Sequence, residues 1–322
     1  MERSVSIIIP SHNGLEQLQA NLPTLFSCLP AQADVEVIVV DNGSIDQSSA
    51  YVKNAFPQIK LITTEKGLGF SRACNLGAES ATKERLFFLN SDISVLPGFL
   101  PPLVGAFSRE DLFGVSPKIL RPSQDRLNES VIFGSFKGGV ISAEFMSAQK
   151  LNIPDRPFEV FSVSGAAFMV DRAKYFELGG MDELFSPFYY EETDLSYRAQ
   201  KRGWKILYEP GSTVHHQHNQ TIGKYFPRPA AFQTYRRNQY LCTWKNISDP
   251  WLLLAHLAAM VLPKMLIPNF IEWKALLSAL RCLPQVIRQR RAQAGLYRLS
   301  DRQVLDNCRK YSNFVYNISR RI

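Results

Sequence analysis

The front of this chain alternates short β-branched runs with amphipathic stretches, and that alternation restricts it to an α/β architecture. Val5–Pro10 reads as a strand and about Leu15 to Cys28 as a helix. Val35–Val40 has no polar interruption after Glu36, the pattern of a central strand buried on both faces. Asp41-Asn42-Gly43-Ser44 breaks it, and Ser44 or Asp46 can cap a helix running to about Phe56. Lys60–Thr63, Ser71–Ser80 and Leu86–Leu89 continue the series as strand, helix and strand. Such a run closes most readily as a parallel sheet with right-handed crossovers. Further on, Val160–Val170 reads as a strand pair or extended segment around Gly165. Thr193 to Arg202 reads as a helix stopped by Gly203, and Lys205–Tyr208 as a short strand. From Arg228 the pattern is helical.

Ligands of an open parallel sheet bind beyond the carboxyl ends of its strands. Asp41 follows the second strand directly and Asp92 follows the fourth, so both are expected on one rim. There a carboxylate can accept from a nucleobase or ribose, or ligate a divalent cation on a diphosphate; alternatively each caps the element after it. Gly67-Leu68-Gly69 is not a dinucleotide fingerprint, because Arg72 holds the third glycine position. Gly69-Phe70 and Asn75-Leu76-Gly77 allow close backbone approach to a nucleotide, with Arg72 near its phosphates, or simply start a helix. Tyr189-Tyr190-Glu191-Glu192-Thr193-Asp194 puts three carboxylates at a helix start. One of Glu191 and Glu192 can face a substrate as general base, and Asp194 suits the helix N-terminus. His215-His216-Gln217-His218 could add a nitrogen ligand to the same cation.

Charge divides the chain. Of its 37 Lys/Arg and 29 Asp/Glu, 17 and 4 fall in residues 222–322. An acidic front suits a cation site and a basic rear an anionic surface. Trp251–Ile271 is largely apolar, but His256, Pro263, Lys264 and Pro268 interrupt it, so a clean membrane span is not expected. Lys274–Arg291 mixes leucines with arginines, the pattern of a helix lying in a membrane interface; a helical region packing on the core is the other reading. The rear carries no nucleic-acid reader motif, so no nucleic-acid partner is expected. The five cysteines are odd in number and contain no C-x-x-C, which argues against a disulfide framework or zinc site. The apolar run from Val5 stops at Pro10, too short for a signal peptide, so a cytoplasmic location is expected.

Taken in order, VSIIIPSHN (Val5–Asn13), VIVVDNGSID (Val37–Asp46), GLGFSRACNLG (Gly67–Gly77), FFLNSD (Phe87–Asp92), SGAAFMVDR (Ser164–Arg172) and FYYEETDLSYRAQKRGWKILYEP (Phe188–Pro210) resemble the family 2 glycosyltransferases, especially the rhamnosyltransferase-like branch. The resemblance implies a GT-A fold: a mostly parallel central sheet flanked by helices over residues 1–225, with a helical appendage over 226–322. It also implies an inverting transferase using Mg²⁺ or Mn²⁺ and a dTDP- or UDP-sugar, rhamnose first, with a glycan or lipid-linked acceptor in cell-surface polysaccharide synthesis. The enzyme would sit peripherally at the inner face of the membrane. The alternative is an inactive nucleotide-sugar-binding or scaffolding protein of the same fold. By this resemblance Pro10, Asn13, Asp41, Gly69, Arg72, Asn75, Asn90, Ser91 and Asp92 surround the donor, and Gly165 and Asp194 face the acceptor. Asp92 with His215 or His216 holds the metal, and Glu192, or alternatively Glu191, is the base. Asn90 stands where the family's D-x-D motif has its first Asp, which leaves one fewer charged ligand.

Overall fold

The computed structural model describes residues 4–121, 124–145, 153–217, 226–266 and 268–319. The front half forms β1 (Val5–Ser11), α1 (Leu15–Cys28), β2 (Val35–Asp41), α2 (Ser48–Ala55), β3 (Lys60–Thr63), α3 (Phe70–Ser80) and β4 (Arg85–Leu89). These bounds follow the sequence pattern closely, because each element is punctuated by its own turn residues. β5 (Ile93–Val95), α4 (Leu100–Ala106), β6 (Leu112–Arg121), β7 (Gln124–Asn128), β8 (Ile132–Lys137), β9 (Val140–Phe145) and β10 (Phe158–Glu159) follow. Next come β11 (Ala167–Asp171), α5 (Arg172–Glu177), α6 (Glu191–Lys201) and β12 (Lys205–His216).

The main sheet runs β10-β12-β6-β11-β4-β1-β2-β3, with β5 on β12 and β7 on β6. It is parallel from β3 to β4, as expected. Beyond β4 it is mixed: β11 is antiparallel to β4 and β6, and β12 is parallel to β6. Alternation along the strands feeds two cores. Ile7, Ile9, Val37, Val39 and Phe87 pack under α1, α2 and α4, while Ile8, Ile38, Val40, Leu86 and Phe88 pack under α3, α5 and α6.

Two expectations need correction. Only Phe158–Glu159 and Ala167–Asp171 of the 158–171 segment are strands. Between them Ser164 N donates to Ser116 Oγ (2.9 Å) and Ser196 Oγ takes the Val163 amide (3.2 Å), so side chains replace ladder partners. The strand at Lys205–Tyr208 does not stop at Pro210-Gly211 but continues to His216. The Pro-Gly pair is a bulge, with the register shifting between Glu209↔Pro117 and Thr213↔Lys118.

The rear is helical: α7 (Arg228–Asn246), α8 (Pro250–His256), a π-helical turn (Leu257–Val261), α9 (Leu262–Leu266), α10 (Phe270–Arg281), α11 (Leu283–Ala294) and α12 (Asp301–Ser319). A third core joins it to the front half, setting Ile132, Ile141, Phe161 and Tyr197 against Tyr240, Leu241, Met260, Ala279 and Val304. The boundary expected at 225/226 adjoins residues 218–225, which lie outside the described residues, as does His218. All five cysteines are free thiols.

Candidate active site

Three loops meet at the carboxyl ends of β1, β2 and β3, and their own polar groups lock them. Asn13, with φ of 50°, takes the Ile45 amide on Oδ1 (2.8 Å), and its backbone N–H donates to Ser44 Oγ (2.8 Å). Asn42 Oδ1 accepts from the Leu68 amide (2.8 Å), and His12 Nδ1 meets Asn42 O at 2.9 Å. Asp41 is 4% exposed. Its carboxylate accepts from the Ser44 amide (3.1 Å) and from Ser49 Oγ, so part of its capacity goes to holding the loop. Gly43, at φ 73°, leaves no room for a Cβ against Lys66 and Gly67. Gly69, at φ 88°, would place a Cβ 2.8 Å from Ser186 Oγ. Pro10 pairs with Val40 just below this rim. His12, Asn42, Ser44 and Asp46 were not singled out as binding residues by sequence. Only the Asn-Gly turn hinted that this loop would be folded so tightly.

The rim continues across β4. Asn90 N donates to Ala166 O (2.9 Å), tying the 90–92 turn to the 160–166 segment. Ser91 Oγ lies 3.5 Å from where a Cβ on Gly14 would stand, which closes the gap back to β1. β12 pairs antiparallel with β5, setting His216 opposite Ile93 and His215 opposite Ser94. Consequently His216 Nε2 lies 3.3 Å from Asp92 Oδ2. Successive strand residues face opposite ways, and His215 makes no comparable contact with Asp92. His216 Nδ1 meets Glu129 Oε2 at 2.7 Å, and Arg121 Nε holds the other Glu129 oxygen at 2.6 Å. Burial lowers the His216 pKa, but hydrogen bonds to Asp92 and Glu129 outweigh it and push it up to about 9.

A carboxylate oxygen beside an imidazole nitrogen whose other nitrogen is oriented by a second carboxylate suits a divalent cation. Binding one requires His216 to lose its proton. Among the described residues no group of three or more His, Cys, Asp or Glu could hold a metal ion. Asp92 and His216 therefore fit an ion completed by phosphate oxygens and water, the usual pattern for Mg²⁺.

Opposite stands the first turn of α6. Glu191 is buried, Glu192 is half-buried, and among the described residues no basic side chain pairs with either. Burial and the neighbouring Glu192 hold the Glu191 carboxyl well above the usual range, and burial pushes Glu192 up to about 7. Among the described residues Glu191 Oε2 has no hydrogen-bond partner, as is true of several other buried polar atoms in the molecule. A Cβ on Gly165 would overlap Glu192 Oε1 and Cδ, so this glycine is the seat of the Glu192 carboxylate. Ala166, the next residue, is the one bonded to Asn90, and thus Glu192, Gly165 and the Asn90–Asp92 turn are contiguous. Cys74 on α3 lies against both glutamates. Burial and their charges push its thiol far up, which disqualifies it as a nucleophile.

Three expected contacts fall elsewhere. Arg72 pairs with Glu79 (2.9 Å) along α3 and with Glu183 (3.5 Å), so protein carboxylates already engage its guanidinium. Asn75 is a structural strut: its Oδ1 takes Tyr175 Oη (2.7 Å) and the Met181 amide, and its Nδ2 donates to Met181 O (2.8 Å). Asp194 is fully buried and cannot face an acceptor. Arg198 Nε (2.8 Å), Lys245 Nζ (2.8 Å) and Asn246 Nδ2 (2.8 Å) surround it. Burial alone would raise its pKa, but Arg198 and Lys245 prevail and hold it below the carboxylate range.

With this geometry in place, likeness to known proteins is informative. Residues 6–178 match the family described as Glycosyl transferase family 2. Polypeptide N-acetylgalactosaminyltransferase 10 of Rattus norvegicus is 28% identical over 263 residues, which is 77% of this chain and 42% of that protein. The chain therefore spans less than half the length of such relatives. N-acetylglucosaminyl-diphospho-decaprenol L-rhamnosyltransferase of Mycobacterium tuberculosis (strain ATCC 25618 / H37Rv) is 26% identical over 220 residues, 61% of this chain and 71% of that protein. Among solved structures, GalNAc-T7 with UDP, GalNAc and Mn²⁺ superposes with a TM-score of 0.59 at 20% identity, covering 73% of this chain and 48% of that one. S. aureus TarS 1–349 superposes with a TM-score of 0.56 at 14% identity, covering 91% and 83%. The fold is GT-A.

Proposed function

We propose, from the premise that this chain belongs to glycosyl transferase family 2, that it moves a sugar with inversion from a nucleoside-diphosphate donor to an acceptor hydroxyl. The observation that carries this reading is the continuity of one rim. The Asp92–His216 pair, the Asn90–Ala166 bridge and Gly165 lead without interruption to two glutamates that have no counter-ion among the described residues. Asp41 and the locked loops of β1 and β2 form the donor end, where the nucleoside would lie. Asp92 and His216 would hold Mg²⁺ or Mn²⁺ on the diphosphate, and the ion would supply Lewis-acid neutralisation of the leaving group's charge.

Glu192 is the base. It takes the proton from the acceptor hydroxyl as that oxygen forms a bond to the anomeric carbon. The bond from that carbon to the diphosphate oxygen breaks on the opposite face, and its electron pair leaves with the nucleoside diphosphate. Its raised pKa suits a base working near neutrality. Burial and the neighbouring Glu192 disfavour charge on Glu191 beside it, which limits the second charge in the site. Rhamnose from a dTDP-sugar is the first donor to try, given the mycobacterial rhamnosyltransferase relative, with UDP-sugars next. The acceptor is a glycan or lipid-linked saccharide in cell-surface polysaccharide synthesis. No helix among the described residues is long and apolar enough to cross a membrane. A peripheral contact is supported instead by Trp251, Leu254, Leu266, Phe270 and Leu277, each more than half exposed, beside Lys264, Lys274 and Arg281.

A thermal-shift screen of dTDP- and UDP-sugars with Mg²⁺ or Mn²⁺ tests the reading, because a cognate donor stabilises the native state by mass action. The expected result is a metal-dependent rise in Tm that EDTA abolishes and Asp92→Asn weakens. Donor binding with no turnover in the wild type would establish the inactive-binder alternative, and no shift with any nucleotide sugar would refute both.

A further inference from the structure

The loop before the base is held in a strained form. Tyr189 and Tyr190 are consecutive non-glycine residues with φ of 75° and 78°, a backbone that side chains with a Cβ disfavour. Helix α7 imposes it. Asn238, fully buried, directs its Nδ2 at Phe185 O (2.6 Å), Phe188 O (2.9 Å) and Tyr189 O (2.9 Å). Arg237 beside it donates to Leu184 O (3.3 Å) and to Ser186 O.

The strain sends the two tyrosines apart. Tyr190 turns inward, 8% exposed, with its hydroxyl toward Ile141 O. Tyr189 stays 37% exposed and lies across Phe188 (4.9 Å, 78°) and Tyr235 (5.9 Å, 80°). Tyr235 on α7 is itself 38% exposed, and Phe232, one turn earlier on the same helix face, 47%. Tyr189 stands three residues before Glu192, and its backbone hydrogen bond reaches the Glu191 carboxylate, which sets the loop that carries the Tyr189 ring at the N-terminal end of α6.

We infer that Tyr189 and Tyr235 form an acceptor subsite that stacks on a pyranose ring, the ring bearing the hydroxyl that is glycosylated. The inference rests on Glu192 being the base. A hydroxyl being deprotonated lies about 2.6–3.2 Å from its base, so a sugar whose hydroxyl reaches Glu192 extends over the N-terminal end of α6, where Tyr189 lies three residues before the base. The C–H face of a pyranose is apolar and its rim polar, and a tyrosine offers the same combination of flat apolar ring and polar tip. A lipid chain would demand continuous aliphatic surface, which this molecule presents on α8 to α10 and not here. The subsite is shared: one ring comes from the loop before α6 and the other from α7. Arg237 and Asn238 are positioning residues that keep the two together.

Ligand-observed saturation-transfer NMR on the full chain with Mg²⁺ tests this. The probes are methyl α-L-rhamnopyranoside, methyl β-D-glucopyranoside, methyl β-D-galactopyranoside and methyl N-acetyl-β-D-glucosaminide. The expected result is ring-proton saturation from at least one glycoside. It should fall at least fivefold in Tyr189→Ala and in Tyr235→Ala, and persist in Tyr189→Phe, whose ring is intact. Circular dichroism melting of each variant separates loss of the subsite from loss of the fold. No ring saturation with any probe, or saturation unchanged in both folded alanine variants, overturns the inference. So does octan-1-ol saturation that disappears with Tyr189→Ala, which would make the surface a lipid groove. If the subsite fails while a nucleotide sugar still raises Tm, the transferase reading stands; if no nucleotide sugar binds, that reading fails first.

Discussion

Glu191 and Glu192 open helix α6, and Asp194 follows within the same turn, yet the two places treat a carboxylate in opposite ways. At the rim Glu192 sits against Gly165 beside Glu191, with no cation paired to either among the described residues, and both are held above the ordinary carboxylate range. At the junction beneath, Asp194 meets Arg198, Lys245 and Asn246 and is held below it. Burial is common to both, so the difference lies in the partners. A fold that can supply two cations to one acid and none to its neighbours has the means to neutralise all three. Leaving the rim uncompensated destabilises the native state and matches what a base needs.

The largest effect that would break this contrast is chemical. Glu192→Gln should lower transfer by about 10²–10⁴-fold while raising Tm at pH 8. The signs are opposite for one reason. The folded pKa is raised, so its contribution to stability is complete below the unfolded value near 4.5 and fades as pH climbs through about 7. Over the same window the wild-type base becomes active. The Tm gap between wild type and Glu192→Gln should therefore open between pH 5 and 8, alongside the ascending limb of kcat/KM. A gap independent of pH would show that the carboxylate is not strained by burial.

Next is the junction. Asp194→Ala strands the buried Arg198 without its anion and leaves Lys245 only Asp182 (2.6 Å), and should destabilise by roughly 3–5 kcal/mol. Urea unfolding measures this directly; a loss below 1 kcal/mol would mean that the hub is not a structural counterpart to the rim.

How much of this contrast could be read from sequence depends on how local its causes are. The strands and helices from β1 to β4 were legible because caps, Gly turns and β-branched runs act within a few residues. Asp92, Glu191 and Glu192 were legible as a set because they end strands or begin a helix. Arg72, Asn75 and Asp194 were misplaced, since their partners Glu183, Met181 and Lys245 lie far along the chain. Nothing in the sequence near Asn238 announces the loop it holds. Pro210-Gly211 resembled a strand end, and only the neighbouring β6 makes it a bulge.

A smaller effect carries the comparison to the surface. On α10 the acid Glu272 turns inward to Arg236, and Phe270, 69% exposed, points out. Phe270→Ser should weaken binding to vesicles containing anionic phospholipid by about tenfold, part of the ~1.5–3 kcal/mol of a fully buried side chain, without altering donor binding. Unchanged vesicle binding in a sedimentation assay would assign this face to a protein partner.

The smallest effect concerns His256, which accepts from Trp244 Nε1 (2.8 Å) and donates through Nδ1 to Gly139 O (2.7 Å). Burial holds its pKa below the usual histidine value, and the bond to Gly139 only partly opposes this. Its contribution is present above pH 6.5 and is lost as pH falls through the folded pKa, by at most about 1.4 kcal/mol per pH unit. Melting His256→Gln beside the wild type from pH 7.5 to 5 should show a shallower acid slope in the variant, and equal slopes would remove His256 from the account.

The decisive measurement is the anomalous scattering of Mn²⁺ in crystals grown with dTDP or UDP. One peak is expected between Asp92 and His216, within about 2.0–2.2 Å of their ligating atoms, with the diphosphate on the ion and the nucleoside against the Asp41 loops. Glu192 should face the open side of that complex. A nucleotide bound elsewhere, or a Mn²⁺ peak that leaves the Asp92–His216 contact intact, would contradict the account.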